Sequence, residues 1–260
     1  MRARLAHIAL RLAPGVLFLV LWEWASGRLV RETYVSKPSA VATRLVELFG
    51  SGEIWPNLAT TAQELAGGYV IGAGAGVACG YLLGRRPRVA AVVEPYLMAF
   101  YGIPKIALAP LLIIWFGIGV GSKIALAATM VFFLVFYTVF AAVRTVDREL
   151  VNLALVMGAR EGQLGRHVYL PASMPAIMLG LRMAVPYAVI GVIAGEFASA
   201  IKGLGLYINY SSSTYDPAGV FAGIAILLVF VLAANTVAAA IERRLLRWRP
   251  PAQAAHTGSP

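Results

Sequence analysis

Long apolar stretches recur along this chain, and they constrain it more than any other feature. Residues 176–195, AIMLGLRMAVPYAVIGVIAG, carry a single charge, Arg182. A stretch near or above about 18 apolar residues is a candidate membrane span, because about 20 helical residues rise about 30 Å, the thickness of a bilayer core. Six segments read as spans: 8–26, 65–83, one within 90–117, 124–143, 172–195 and 218–241. The third is longer than a span requires and holds Pro104, Lys105 and Pro110, so it is expected to break at one of the prolines. The expected fold is an all-α polytopic membrane protein with six transmembrane helices.

Composition agrees. Charged residues make up 13% of the chain, about half the share in a soluble domain. The net charge of +10 does not call for a nucleic acid, because Lys and Arg mark cytoplasmic loops in membrane proteins. With the N-terminus inside, the inner segments hold Arg2, Arg4, Arg11, Arg85, Arg86, Arg88, Arg144, Arg148, Arg160, Arg166, Arg243, Arg244, Arg247 and Arg249. The outer ones hold Arg28, Arg31, Lys37, Arg44, Lys123 and Lys202, a ratio of fourteen to six. That asymmetry predicts both termini in the cytoplasm, with a short N-terminal segment at 1–7, a membrane-spanning body at 8–249 and an irregular Pro- and Ala-rich tail at 250–260. A basic start before an apolar run admits a cleaved signal peptide or a retained helix. No small-residue cleavage site follows the run, which ends LWEWASGRLV, so a retained helix is expected.

The longest outer segment, 27–64, contains SAVATRLVELF, an amphipathic pattern with Val41, Leu45, Leu48 and Phe49 on one face. Trp22 and Trp24 read as aromatic-belt anchors. In the second span Gly68, Gly72, Gly76, Gly80 and Gly84 are four apart and form one stripe. Such a stripe lets another helix backbone approach closely. It serves packing within the chain, or a sliding surface between two arrangements of the bundle.

Enzyme chemistry finds little support. GIGVGSK, residues 117–123, lacks the P-loop spacing and reads as a tight turn between spans. His7, His167 and His256 are scattered, and Cys79 stands alone in an apolar run, so no metal or cofactor is expected on this chain. Acidic residues near the spans, Glu23, Glu94 and Glu196, sit by their ends. A secondary transporter working alone would place acids deeper and show inverted repeats.

One cytoplasmic segment departs from its surroundings: NLALVMGAREGQLGRHVYLPASMP, residues 152–175. A first helix over 147–157 puts Leu150, Leu153, Ala154 and Met157 on one face, and Gly158 is placed to end it. A second helix is expected over 160–169, with Leu164 and Val168 on one side and Pro171 stopping it. The pair makes a bracket over 144–171 whose apolar edge suits a protein partner.

The order Gly158, Val168, Leu170, Pro171 resembles the EAA loop of type I ATP-binding-cassette importer permeases, with Asn152, Leu153 and Ala154 where Glu-Ala-Ala is usual. YGIPKIALAPLLIIWFGIG (101–119) and GEFASAIKGLGLYI (195–208) resemble the nitrate, sulfonate and taurine branch. The resemblance implies the type I permease fold, a homodimer, cytoplasmic ATPase subunits that hold the ATP and Mg, and an external substrate-binding protein. It implies a coupling loop carried by Asn152, Ala154, Gly158, Leu164, Val168, Leu170 and Pro171, with Leu164 and Val168 facing the ATPase. It also suggests a small anion as substrate; related permeases serve thiamine pyrimidine precursors and aromatic acids. Three positions are weighed for the route. Lys105, between Pro104 and Pro110, lines a pathway or gate, or marks a structural kink. Arg182 draws an anion, or reaches back to the interface or to backbone carbonyls. Glu196 is an interfacial residue, or contacts Lys202 or the binding protein in gating.

Overall fold

The computed structural model describes residues 2–245. The expected tail at 250–260, with Arg247 and Arg249 before it, lies outside the described residues. In chain order the helices are α1 (Arg2–Ala25), α2 (Glu32–Val35), α3 (Pro38–Ser51), α4 (Ile54–Gly84), α5 (Pro87–Gly102) and, after a 3-10 turn at Lys105–Leu108, α6 (Ala109–Phe116). Then come α7 (Val120–Arg144), α8 (Arg148–Val156) and α9 (Glu161–Leu164). A π turn at Gly165–Tyr169 leads into α10 (Leu170–Ala198), followed by α11 (Leu204–Ser213) and α12 (Pro217–Leu245). Prolines open α3 and α5, where the missing N–H costs no helical bond.

Among the described residues, four helical stretches are long and apolar enough to cross a membrane: Ile54–Gly84, Val120–Arg144, Glu161–Ala198 and Pro217–Arg244. The fifth candidate is a bent pair, Pro87–Gly102 with Lys105–Phe116, at 82°. The break expected in the third span therefore falls at Pro104. The first expected span lies on α1, whose apolar part Ala13–Ala25 is shorter than a span. The second expected span is longer than read: α4 begins at Ile54, so the outer segment is largely helical. Glu64 consequently lies inside a spanning helix and is buried, which corrects the reading that acids sit only by span ends.

The described residues divide into two compact units, 2–63 with 196–229 and 64–195 with 230–245. The core of the second is α7, whose Ala127, Val131, Val135, Val139 and Val143 are all buried. The glycine stripe of α4 explains how that helix packs. A Cβ added at Gly68 would stand 2.5 Å from the Ala127 Cβ, at Gly76 2.9 Å from the Phe132 carbonyl oxygen, and at Gly80 2.7 Å from that of Phe136. At Gly72 it would strike the Ala128 carbonyl. The stripe is thus a packing surface within the chain. Gly74, off the stripe, faces nothing within 4 Å. On another side of α7, Gly191 of α10 meets the Ala127 backbone in the same way.

In the first unit, Val41 and Leu48 of α3 pack with Leu204, Tyr207 and Ile208 of α11 and with Ala222 and Ile226 of α12. Of the amphipathic face read at 39–49, Val41 and Leu48 are buried and Leu45 half-buried, whereas Phe49 is exposed and meets the Trp55 ring edge-on at 5.5 Å. Glu23 accepts from the Ser39 N–H at 3.0 Å and from its hydroxyl at 2.8 Å, satisfying the start of α3. Trp22 is not a free belt residue: its ring centroid lies 4.9 Å from that of Phe221. Trp24 is exposed, with the Arg28 guanidinium 5.6 Å from its ring centroid.

Candidate functional site

The bracket at 144–171 is built from its ends. Asp147 caps α8 by accepting from the Glu149 N–H at 2.8 Å. The helix closes at Gly158, whose φ of +85° lies in the left-handed region. Two reverse bonds seal the end: the Gly158 N–H donates to the Leu155 carbonyl and the Ala159 N–H to the Ala154 carbonyl, both at 2.9 Å. That pairing is a Schellman motif, which satisfies carbonyls left over at a helix end.

Beyond the turn the structure departs from expectation twice. Pro171 does not stop the second helix, because the chain widens into a π turn before it and the Leu170 N–H reaches back to the Gly165 carbonyl. The wider turn gives the proline ring room beside the preceding carbonyls, and a continuous helical run extends from Glu161 to Ala198. Pro175 accordingly sits inside α10 rather than at a new helix start. The second departure concerns facing. Leu164 is 4% exposed and points into its own chain, and Val168 is half-buried. The π turn breaks the i, i+4 register that would have aligned them.

The outward apolar edge is on α8 instead. Val156 is 87% and Met157 79% exposed, with Leu153 and Leu150 beside them also exposed. Asn152 is exposed and Ala154 half-buried. The bracket is held to the end of α4 by two residues that sequence reading did not single out for this role. The Tyr81 hydroxyl donates to the Gly165 carbonyl at 2.7 Å. The Arg85 guanidinium donates to the Glu161 carbonyl at 2.8 Å and lies over the Tyr81 and Tyr169 rings at 5.6 and 5.5 Å. Each carbonyl already accepts a backbone N–H within its own turn and takes a second donor on its other lone pair, so these bonds fix the bracket's attitude.

The elbow between α5 and α6 brings Pro104 and Lys105 together. With no N–H at Pro104 and a 3-10 turn after it, the helical ladder stops, and the Lys105 ammonium donates to the Tyr101 carbonyl. Pro110, by contrast, sits in the first turn of α6 and bends nothing. The ammonium also stands over the Tyr101 and Phe133 rings, 4.3 and 4.9 Å from their centroids. Arg182 is exposed and pairs with Glu242 of α12 at 3.8 Å, a partner absent from the sequence reading. Lys105 and Arg182 are not brought into contact.

Glu196, two residues before the end of α10, is 1% exposed. Its carboxylate accepts from the Thr61 hydroxyl at 2.6 Å and from the Gly205 N–H. Thr61 in turn accepts from the Leu204 N–H at 2.8 Å, and Asn57 from the Gly203 N–H at 3.0 Å. Three successive N–H groups at the start of α11 are therefore held by side chains, and the negative carboxylate suits the positive end of the helix. Lys123, expected in an outer loop, is a further buried charge at 1% exposure; it donates to the Ile118 carbonyl at 2.6 Å and caps the turn before α7.

The chain matches the family model described as binding-protein-dependent transport system inner membrane component over residues 71–247. It is 32% identical over 238 residues to the riboflavin transport system permease protein of Chloroflexus aurantiacus, covering 90% of this chain and 89% of that one. It is 32% identical to the formylaminopyrimidine transport permease protein of Halalkalibacterium halodurans, covering 92% and 96%. To the taurine transport system permease protein of Escherichia coli it is 28% identical, covering 92% and 89%. Among solved structures, an inward-facing form of the MetNI methionine ABC transporter aligns with a TM-score of 0.59 at 23% identity, covering 74% of this chain and 93% of that chain.

Proposed function

The chain belongs to the binding-protein-dependent transport system inner membrane components, the permeases of ATP-binding-cassette importers, and from that premise we propose what it carries and how it is driven. Permeases of this family span the inner membrane several times and work with an ATPase and a substrate-binding protein. This one takes a small organic anion of sulfonate or taurine type from its binding protein. It works as a homodimer with both termini in the cytoplasm. ATP and Mg are held by the ATPase subunits.

The observation that carries the coupling part is the apolar edge of α8, with Val156 and Met157 exposed, on a bracket fixed from behind by Tyr81 and Arg85. An apolar edge presented on rigid backing is what a groove on a partner recognises. The Leu164 side chain supports the bracket from inside. The elbow at Pro104 and Lys105 lies on the route, where broken helix backbone is tolerated because it lines a cavity. Arg182, paired with Glu242, sets charge near the inner end.

Reconstitution of the chain with its ATPase and binding protein in sealed vesicles tests the reading. Uptake of a sulfonate should require ATP, the binding protein and this chain together. Uptake driven by an ion gradient without the ATPase would overturn it in favour of a secondary transporter.

A further inference from the structure

The elbow borders an open cavity of about 380 Å³ lined by Tyr101, Pro104, Lys105, Met130, Phe133 and Tyr187 among others. Pockets for small organic molecules begin at about 300 Å³ and are mostly apolar with a few placed polar groups. Lys105 is the one charged residue lining this one; no carboxylate does. An ammonium has three donors, and here one is used on the Tyr101 carbonyl, so two are left for a ligand. Tyr101 and Tyr187 bring phenols, while Pro104, Met130 and Phe133 bring apolar surface.

Each class of solute meets these walls differently. An inorganic oxyanion such as nitrate would give up water where it meets the walls and regain few hydrogen bonds from their apolar surface, a net cost. A zwitterion such as taurine would place its own ammonium beside Lys105 with no carboxylate to receive it. An aromatic cation would bring its charge up to the Lys105 ammonium with no carboxylate to receive it. A flat anion fits all three features: its head on the ammonium, its ring against Phe133 and the tyrosines, and no unpaired group left over.

We infer that the elbow cavity binds an organic monoanion with a flat aromatic body, an aryl sulfonate or aryl carboxylate, as it passes through the permease. This rests on the elbow being part of the route. It narrows the sulfonate reading to aromatic members and gives the permease a selection step of its own.

The test is calorimetric titration of 2-naphthalenesulfonate into the full chain, with its ATPase, in lipid nanodiscs. Saturable binding is expected, and taurine or nitrate at equal concentration should not displace it. Lys105→Met should weaken binding by at least about tenfold, with Lys105→Arg restoring most of it. Phe133→Leu, which leaves the Tyr101 carbonyl bond in place, should weaken it about fivefold. The inference falls if no saturable binding is seen, if taurine or nitrate competes equally, or if both Lys105→Met and Phe133→Leu bind as the native chain does. Uptake measured on the same variants separates the two readings. Loss of uptake in Lys105→Met without any naphthalenesulfonate binding keeps the route and removes the cavity. Binding as predicted with full uptake in Lys105→Met keeps the cavity and removes it from the route.

Discussion

The contact of α4 with α7 and the elbow between α5 and α6 solve opposite problems with small or special residues. In the first, four-spaced glycines bring two backbones so close that a methyl group at Gly68, Gly72, Gly76 or Gly80 would overlap the facing helix. In the second, one proline stops the ladder, and the chain turns through 82° around a carbonyl that a lysine side chain takes over. Within lipid there is little hydrophobic drive between helices, so close contact fixes a helix pair and its removal is felt directly. A break exposes polar backbone, which is tolerable only beside a cavity or a compensating donor. The lesson is that the tightest packing and the sharpest break fall to different helix pairs of the same unit.

The largest effect should come from filling the close contact. Gly72→Leu drives a side chain into the Ala128 backbone, which cannot move as a side chain would. Overpacking of this kind costs about 3 kcal/mol, more than a hundredfold in the folded fraction. The variant should fail to yield a monodisperse protein; a normal yield and melting temperature would break the contrast. Lys105→Gln should act the other way round, lowering uptake about tenfold while leaving the melting temperature nearly unchanged, because one charge-assisted bond to the route is lost and the packed pair is untouched. Pro104→Ala should be smaller again, a change of about 1 kcal/mol or less in stability with a severalfold change in uptake, as the elbow regains an N–H and loosens its angle. Gly74→Ala sharpens the comparison from the side of no effect: nothing lies within 4 Å, so stability should shift by less than about 0.5 kcal/mol.

Periodic and local features were legible in the sequence. Five of the six spans, the stripe at Gly68 to Gly84, the break at Pro104 and the turn at Gly158 each depend on a spacing or on one residue's backbone chemistry. What sequence reading missed depends on partners far along the chain or on a change of helical period. Leu164 was assigned outward because α periodicity was carried through a π turn. Pro171 was read as a stop for the same reason. The bond of Glu196 to Thr61 was not legible because the two lie 135 residues apart. Arg85 was not tied to the bracket because Glu161 is 76 residues distant. Glu64 and Lys123 were overlooked as buried charges because the ends of α4 and α7 were set too short.

The central claim is that the exposed edge of α8, on a bracket braced from behind, is what engages the ATPase. It is tested most directly by the amount of ATPase that copurifies with the permease when Val156→Asp and Met157→Asp are combined. Both side chains face outward, so insertion and folding should be unaffected. Burying charge in an apolar interface in place of anchor residues costs about 2 kcal/mol or more, roughly a thirtyfold loss of affinity. The account predicts a normally inserted permease stripped of its ATPase, and an intact complex when the exposed Leu179 on α10 is changed to Asn instead. An unchanged ratio of ATPase to permease in the double variant would contradict it and move the contact to the basic turn at Arg86 and Arg88.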